Sequence, residues 1–171
     1  PSFGMKSKSS DRAPAAAADC AAGLRQSCTG VSGMIRKAIA GTASDVVLTS
    51  GGLGPTEDDV TRESIAAALG ETMVVQPELE QHLRAFFTRR GTDMPERNIK
   101  QATLIPSATA IPNPKGTAPG WWVERNGRII AAMPGPPREM TYMWENEVAP
   151  RLRKLTGGVT IASRLVKTFG I

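Results

Sequence analysis

The chain has 171 residues, a formal net charge of +5 and an isoelectric point near 9.6. This length suits one domain with a buried core, and because no apolar run reaches about 18 residues we expect no membrane span. The basic residues are scattered, and aromatic side chains make up only 5% of the sequence, so the charge does not indicate a nucleic-acid partner.

Residues 1–28 differ in character from the rest of the chain. Ser and Lys are frequent at the start, an Ala-rich patch follows, and no strand-like run occurs, so we expect poor order with at most a short helix at Ala15–Leu24. Cys20, Cys28 and the single His82 form no zinc-binding pattern; reduced thiols are expected, with a disulfide as the alternative. No secretory signal is visible, which favours a cytoplasmic protein.

Helical and strand patterns alternate along the remaining sequence. Apolar residues at helical spacing predict a helix at Gly33–Ala40, and the β-branched run at Asp45–Thr49 predicts a buried strand. A second helix is predicted at Asp59–Leu69, with Gly70 ending it. The other predicted elements are a strand at Thr72–Val75, a helix from Pro77 to Gly91, a short helix at Glu96–Ala102, a hairpin of Trp121–Arg125 and Arg128–Met133 around Asn126 and Gly127, a helix at Pro137–Leu155 with a break near Pro150, and an extended segment at Val159–Phe169. This alternation predicts a layered α/β sandwich.

A glycine-rich turn joins the first of these strands to the helix that follows it. The turn contains Gly51, Gly52 and Gly54, and Asp58 and Asp59 come next. Glycines let backbone amides approach a phosphate, and the free N–H groups at a helix start favour an anion. Adjacent carboxylates could hold a divalent cation that bridges to this phosphate, so a nucleotide or phosphorylated cofactor is the first interpretation. The alternative is a purely structural strand-to-helix turn, since the loop matches neither the Walker A motif nor G-x-G-x-x-G.

Two further loops rich in Pro and Gly flank the predicted hairpin. Asn113–Gly120 precedes the hairpin, and Met133–Met140 carries Pro-Gly-Pro-Pro into the last predicted helix. Ligands of open α/β sheets bind at the C-terminal ends of strands, so these loops and the glycine-rich turn are expected to line one cleft; rigid structural turns are the alternative. A hairpin strand is also expected to place one ring of Trp121 and Trp122 in the core and the other outside.

Together, the three loops resemble those of the molybdopterin-binding superfamily, most closely its CinA-like branch of competence/damage-inducible proteins. The branch's Gly-Gly-Leu-Gly-Pro-Thr, its Asp-Asp pair and its Thr are matched at Gly51–Thr56, at Asp58 and Asp59, and at Thr61. Its Asn-Pro-x-Gly-Thr-Ala-Pro-Gly is matched at Asn113–Gly120, and its Pro-Gly-Pro-Pro with the following Glu-Met at Pro134–Met140. The resemblance covers about Ser44 to Ile171.

This resemblance implies a three-layer α/β/α sandwich with a mostly parallel sheet and a small β-hairpin. The domain would span residues 29–171, and its completeness at either end is left open. It implies hydrolysis of a nucleotide pyrophosphate such as ADP-ribose, with Asp58 and Asp59 as catalytic residues and as ligands of a divalent cation, Mg²⁺. The residues expected to bind substrate are Gly51, Gly52, Gly54, Thr56, Thr61, Asn113, Lys115, Gly116, Thr117, Pro134, Gly135 and Pro136. Related domains self-associate, so a homo-oligomer is expected.

Other functions follow from the same resemblance. A non-catalytic module would bind molybdopterin or a nucleotide without turnover and without metal. The branch's N-terminal strand and Gly-Thr-Glu-Leu turn are not matched in residues 1–28, which favours such a module. Adenylylation of molybdopterin would need MgATP and is disfavoured, because the adenylyltransferases carry a single Asp at the position of Asp59. The nicotinamide-mononucleotide deamidase that some members carry has no counterpart here, so no deamidase activity is expected.

Overall fold

The structure is a computed structural model that describes residues 45–155 and 157. The expectations for residues 1–28, for a helix at Gly33–Ala40 and for an extended segment at Val159–Phe169 lie outside the described residues. In chain order, the elements are β1 (Val46–Ser50), α1 (Thr61–Leu69), β2 (Val74–Val75), α2 (Pro77–Thr88), a 3₁₀ helix (Glu96–Ala102), β3 (Thr103–Leu104), β4 (Ala108–Ile111), β5 (Gly120–Arg125), β6 (Arg128–Met133), α3 (Pro137–Met143), a π turn (Trp144–Val148) and α4 (Ala149–Leu155).

Four strands form the main sheet, in the order β1-β6-β5-β4, and β2 pairs with β3 in a separate antiparallel ribbon. β1 and β6 are parallel, with Ser50 opposite Met133, whereas β5 is antiparallel to both β6 and β4. The predicted hairpin is confirmed: Asn126 and Gly127 have φ values of 52° and 74°, as a tight hairpin turn requires. It lies inside the sheet, because β6 pairs with β1 on its other side.

The helices follow the sequence signals closely. α1 ends at Gly70, whose left-handed backbone (φ 66°) donates to the carbonyl of Ala66. It begins at Thr61 rather than at the predicted Asp59, because Val60 has a non-helical backbone (φ −105°, ψ 8°) and Asp59 is bonded back to the loop. The predicted break near Pro150 is the π turn just before it. There the amide of Ala149 donates to the carbonyl of Trp144, and Pro150 itself has no amide hydrogen.

The sheet is covered on both faces. Successive residues of a strand point to opposite faces, and the two neighbouring tryptophans of β5 accordingly belong to different core clusters. Trp121, fully buried, packs with Ile65 of α1, and Trp122, 4% exposed, packs in the cluster that holds Met143 of α3. The expectation that one ring lies outside was therefore wrong, since a helical layer covers each face. These layers confirm the α/β sandwich.

No helix described between residues 45 and 155 combines the length and apolar character that a membrane crossing requires.

Candidate functional site

The two parallel strands β1 and β6 bring the glycine-rich loop and the Pro-Gly-Pro-Pro loop together. The amide of Gly51 donates to the carbonyl of Met133 at 2.9 Å, and the hydroxyl of Ser50 donates to the carbonyl of Pro134 at 3.2 Å. A Cβ atom added to Gly135 would lie 3.3 Å from the Cα of Gly51, which itself has a left-handed backbone with φ +92°. The loops therefore start side by side at one edge of the sheet.

Thr61 fastens the glycine-rich loop to the first turn of α1. Its hydroxyl donates to the carbonyl of Gly51 at 2.9 Å, and its amide donates to the carbonyl of Gly52 at 3.1 Å. The Thr61 side chain is 3% exposed. Its hydroxyl, expected from the sequence to bind substrate, is thus committed to the loop backbone.

Asp59 is the central acceptor of the loop. Its Oδ2 accepts from the amide of Thr56 at 3.0 Å and from the Thr56 hydroxyl at 2.5 Å. Burial raises the pKa of the Asp59 carboxyl, but hydrogen bonds from Thr56 and Gly54 and the charge of Lys100 outweigh it, so the pKa lies below its ordinary value of 3.8. Asp59 is therefore ionised at neutral pH, and its hydrogen bonds with Thr56 fix the conformation of the loop.

Asp58 has the opposite environment, because its side chain is exposed on the turn just before Asp59. Within residues 45–155 and 157, no three His, Cys, Asp or Glu side chains converge into a metal site. A Mg²⁺ ion that is shared with substrate phosphates needs only one or two protein carboxylates, however, and keeps several waters. The donor set therefore fits a cation held by Asp58 together with a bound phosphate, with Asp59 as the adjacent second carboxylate. It does not fit a closed all-protein cage.

Lys100, in the 3₁₀ helix, was not predicted from the sequence as a site residue. Its ammonium donates to the carbonyls of Thr56 at 3.0 Å and Asp59 at 2.6 Å, and it forms an ion pair with Glu63 at 2.9 Å. These contacts attach the glycine-rich loop to an element more than forty residues away along the chain. No local pattern around Lys100 indicates them.

The Asn113–Gly120 loop is held by a carboxylate from α3. The side-chain Nδ2 of Asn113 donates to Glu139 Oε2 at 2.7 Å and to the carbonyl of Ala118 at 2.8 Å. Its Oδ1 accepts from the backbone amide of Lys115 at 3.2 Å. Gly116 lies so close to Glu139 that a Cβ atom would overlap the carboxylate. The Lys115 ammonium is exposed, 5.3 Å from the ring centre of Tyr142.

Arg62 is the second charged residue that sequence reasoning missed. Its side chain is completely buried, with Nη1 donating to the carbonyl of Leu53 at 2.6 Å and Nη2 to that of Pro119 at 3.4 Å. Burial lowers the pKa of the guanidinium to about 10, although the charges of Glu63 and Asp59 raise it, so Arg62 is a cation at neutral pH. One signal was available: a cation in the first turn of a helix opposes the helix dipole and needs a separate reason.

The predicted site residues thus form two connected groups. Around Gly51 and Gly135 lie the glycine-rich loop and the Pro-Gly-Pro-Pro loop, and around Asn113 lies the second Pro- and Gly-rich loop, joined to the first group through Arg62. Thr117 and Pro136 belong to these loops, half-buried and exposed respectively. A cavity of about 410 Å³ lies instead near the hairpin turn, lined by residues such as Val47, Leu69 and Arg128, and contains no predicted site residue. The loops, rather than that cavity, carry the sequence motifs.

Comparison with known proteins places these loops in a family. The family model described as "Probable molybdopterin binding domain" matches residues 28–154. A solved structure titled "The crystal structure of the protein CinA with unknown function from Thermoplasma acidophilum" is 30% identical, with a TM-score of 0.62, and the match covers 70% of this chain and 68% of that one. The chain belongs to the CinA-like branch of the molybdopterin-binding domain family.

Curated relatives within the CinA-like branch agree with this assignment. A CinA-like protein of Thermomicrobium roseum is 53% identical over 128 residues, which cover 75% of this chain and 32% of the relative. A CinA-like protein of Deinococcus radiodurans is 56% identical over 119 residues, which cover 67% of this chain and 30% of the relative. The chain therefore spans about a third of the length of these CinA-like relatives. The family predicted from the three loop motifs is confirmed.

Proposed function

We propose that this domain hydrolyses nucleotide pyrophosphates of the ADP-ribose type with the help of a divalent cation. The observation that carries the proposal is the meeting of the glycine-rich and Pro-Gly-Pro-Pro loops at Gly51 and Gly135, beside the start of α1. No side chain caps the first turn of that helix in the described structure; the Thr61 amide is bonded to the Gly52 carbonyl, and the amides of Arg62 and Glu63 that follow it are the ones offered to an anion. The exposed carboxylate of Asp58 lies on the same loop.

The diphosphate of the substrate would bind to backbone amides of the glycine-rich loop. The amides of Gly51 and Gly54 are already bonded to the Met133 carbonyl and the Asp59 carboxylate, so Gly52 supplies the glycine amide for a phosphate. A fixed amide dipole there can stabilise the charge that develops on phosphoryl oxygens. Thr56 and Thr61 act indirectly, because their hydroxyls bond to Asp59 and Gly51. We assign them the task of keeping the loop in the shape that receives the phosphates.

We place the cation at the end of the glycine-rich loop that carries Asp58 and Asp59. When bound, Mg²⁺ polarises a phosphoryl oxygen and lowers the pKa of a bound water. Asp58 is the carboxylate with free oxygens to hold it, and Asp59 adds negative charge while holding Thr56 in place. Hydrolysis then adds one water across the pyrophosphate link and releases AMP and ribose 5-phosphate from ADP-ribose.

The second loop would define the other wall of the site. Glu139 and Asn113 fix its backbone, and the exposed ammonium of Lys115 is free to approach a phosphate or ribose group. Thr117 and the exposed Pro136 shape the space between the walls, whereas Pro134 is buried beneath its loop. This division assigns phosphate recognition to the first loop with Lys115, and substrate shape to the remaining residues of the other two loops.

The proposal is tested by incubating the protein with ADP-ribose and Mg²⁺, with and without a chelator, and by quantifying AMP. We expect AMP formation that depends on the metal and disappears in Asp58→Asn. The matched control is Glu57→Gln, which removes one negative charge from the neighbouring exposed position and should leave AMP formation unchanged. Equal activity in Asp58→Asn and wild type would contradict the assignment of Asp58.

A binding module without catalysis is the second candidate, and one observation favours it. Asp59, one of the two expected metal ligands, has an oxygen already occupied by two hydrogen bonds from Thr56. The family description also names a molybdopterin-binding domain. Nucleotide or molybdopterin binding that is unaffected by a chelator, without AMP release, would decide for this function.

A further inference from the structure

The guanidinium of Arg62 is buried and contacts two of the loops of the proposed site. Its side chain has no exposure to solvent, although arginine is rarely buried without a carboxylate partner. Its Nη1 and Nη2 donate to backbone carbonyls, and its Nε has no hydrogen-bond partner among the described residues. A buried cation with this arrangement costs stability, so a role in the adjacent site is the simplest reason to keep it.

The two carbonyls that Arg62 contacts belong to different loops. Leu53 lies within the glycine-rich loop, between Gly52 and Gly54, whereas Pro119 lies near the end of the Asn113–Gly120 loop. The distances are 2.6 Å and 3.4 Å, and the two loops are separated by more than fifty residues along the chain. The planar guanidinium therefore acts as a fork that fixes the spacing between the two expected walls of the site.

Arg62 also places a positive charge next to the backbone of the glycine-rich loop. Glu63 and Asp59, whose charges act on Arg62, form no ion pair with it in the described structure: Glu63 is paired with Lys100, and Asp59 accepts from Thr56. Because charges interact more strongly away from water, a fixed cation under the glycine-rich loop raises the affinity for an anion bound on its outer side.

We propose that Arg62 is a positioning residue that holds the two loops at a fixed spacing and supplies a permanent positive charge for binding a diphosphate. This inference rests on the proposed function, because it concerns how the same site recognises ADP-ribose. It adds a specificity: the charge of Arg62 favours ligands with a diphosphate over uncharged nucleosides.

The test compares Arg62→Lys with Arg62→Gln. Both replacements retain a hydrogen-bond donor and lose the fork, but only lysine keeps the charge. We expect the Kd for ADP-ribose to rise roughly tenfold more in Arg62→Gln than in Arg62→Lys, because the buried charge acts in a low-dielectric environment. Binding of adenosine should be equal in the two variants. Arg84→Gln removes the same charge from an exposed position on α2 and should bind ADP-ribose like wild type.

Hydrogen–deuterium exchange on the free proteins tests the spacing without any ligand. Both Arg62 variants should exchange faster in the glycine-rich loop and in Asn113–Gly120 together, while the strands of the main sheet stay protected. If Arg62→Gln does not fold, Arg62→Lys still decides: faster exchange in both loops with retained ADP-ribose affinity supports the proposal, and unchanged exchange overturns it.

The outcomes separate this inference from the proposed hydrolysis. A wild-type protein that binds ADP-ribose but releases no AMP overturns the hydrolase function, and the Kd comparison then still judges Arg62. Equal affinities of Arg62→Lys and Arg62→Gln for ADP-ribose overturn the charge role even if hydrolysis is found. If hydrolysis is found, the expected kinetic signature in Arg62→Gln is a raised KM with a smaller change in kcat, since the residue acts on binding.

Discussion

Gly51 and Gly135 approach each other so closely that a methyl group on Gly135 would lie 3.3 Å from the Cα of Gly51. The contact follows from the parallel pairing of β1 with β6, which brings the loop after each strand to the same edge of the sheet. Because the contact joins two backbones, neither side can move aside as a flexible side chain would. The relative position of the two loops is therefore sensitive to a single carbon atom.

We expect Gly135→Ala to impair the site more than the fold. Gly135 lacks a left-handed backbone, so alanine is compatible with its conformation, but the added methyl group is tight against the Gly51 backbone and requires a small shift of one loop. ADP-ribose turnover or binding should fall by roughly tenfold or more, because small misplacements of binding groups are costly. The free energy of unfolding should change by only about 1 kcal/mol, measured by urea denaturation.

Gly91→Ala is the matched control for this prediction. Gly91 has a left-handed backbone (φ +71°) with open space around it, so alanine there is strained but collides with nothing. It should lower the free energy of unfolding by about 1–2 kcal/mol without changing ligand binding. A loss of binding in Gly91→Ala that equals the loss in Gly135→Ala would show that general destabilisation, not loop spacing, is responsible.

The neighbouring carboxylates Asp58 and Asp59 should respond differently to neutralisation. Asp59→Asn weakens charge-assisted hydrogen bonds from Thr56, so the free energy of unfolding should fall by about 1 kcal/mol. Asp58→Asn changes an exposed side chain and should stay within about 0.5 kcal/mol of wild type. Thermal and urea unfolding of both variants measure this difference, and equal stability losses would contradict the assignment of Asp59 as the loop's acceptor.

The pH dependence of stability should carry the signature of Asp59. Its pKa is lower in the folded protein than the ordinary value of 3.8, so ionised Asp59 stabilises the fold at any pH above its unfolded pKa. This contribution is lost as the pH falls through the folded pKa, because the carboxyl is then protonated in both states. The stability difference between wild type and Asp59→Asn should therefore be constant near neutral pH and shrink below about pH 4. Urea titrations at several pH values would show it, and a gap that widens in acid would contradict it.

The sequence predicted the elements that depend on local signals. β1 was found from the apolar run Val46–Leu48, although it is partly exposed rather than buried as predicted. The end of α1 was found from Gly70 and the hairpin from Asn126 and Gly127, because each signal acts within a few residues. The adjacency of the loops was also predictable, since it follows from the general rule that site loops gather at strand ends.

The features that sequence reasoning missed all depend on distant partners. β4 has only four residues, Ala108–Ile111, and exists as a strand because β5 pairs with it. Lys100 joins the site through carbonyls more than forty residues away, and Arg62 through Pro119, fifty-seven residues away. Both rings of the tryptophan pair are buried because a second helical layer covers the sheet, which no pattern within the hairpin reveals.

The contact of Gly116 with Glu139 leads to a prediction about coupling between two loops. A Cβ atom on Gly116 would overlap the Glu139 carboxylate and no backbone atom is as near, so Gly116→Ala should push the carboxylate off Asn113. Losing this charge-assisted hydrogen bond should cost about 1–2 kcal/mol of unfolding free energy.

A double-mutant cycle distinguishes this mechanism from backbone strain. In the Glu139→Ala background the carboxylate is gone, so Gly116→Ala has nothing to displace and should cost little further stability. The two changes should therefore be non-additive by about 1 kcal/mol, measured by urea denaturation of the four proteins. Additive losses would mean that Gly116 is needed for its backbone rather than for the approach of Glu139. Non-additive losses would show that the Glu139 carboxylate of α3 holds the Asn113–Gly120 loop in place, because Glu139→Ala removes only that side chain.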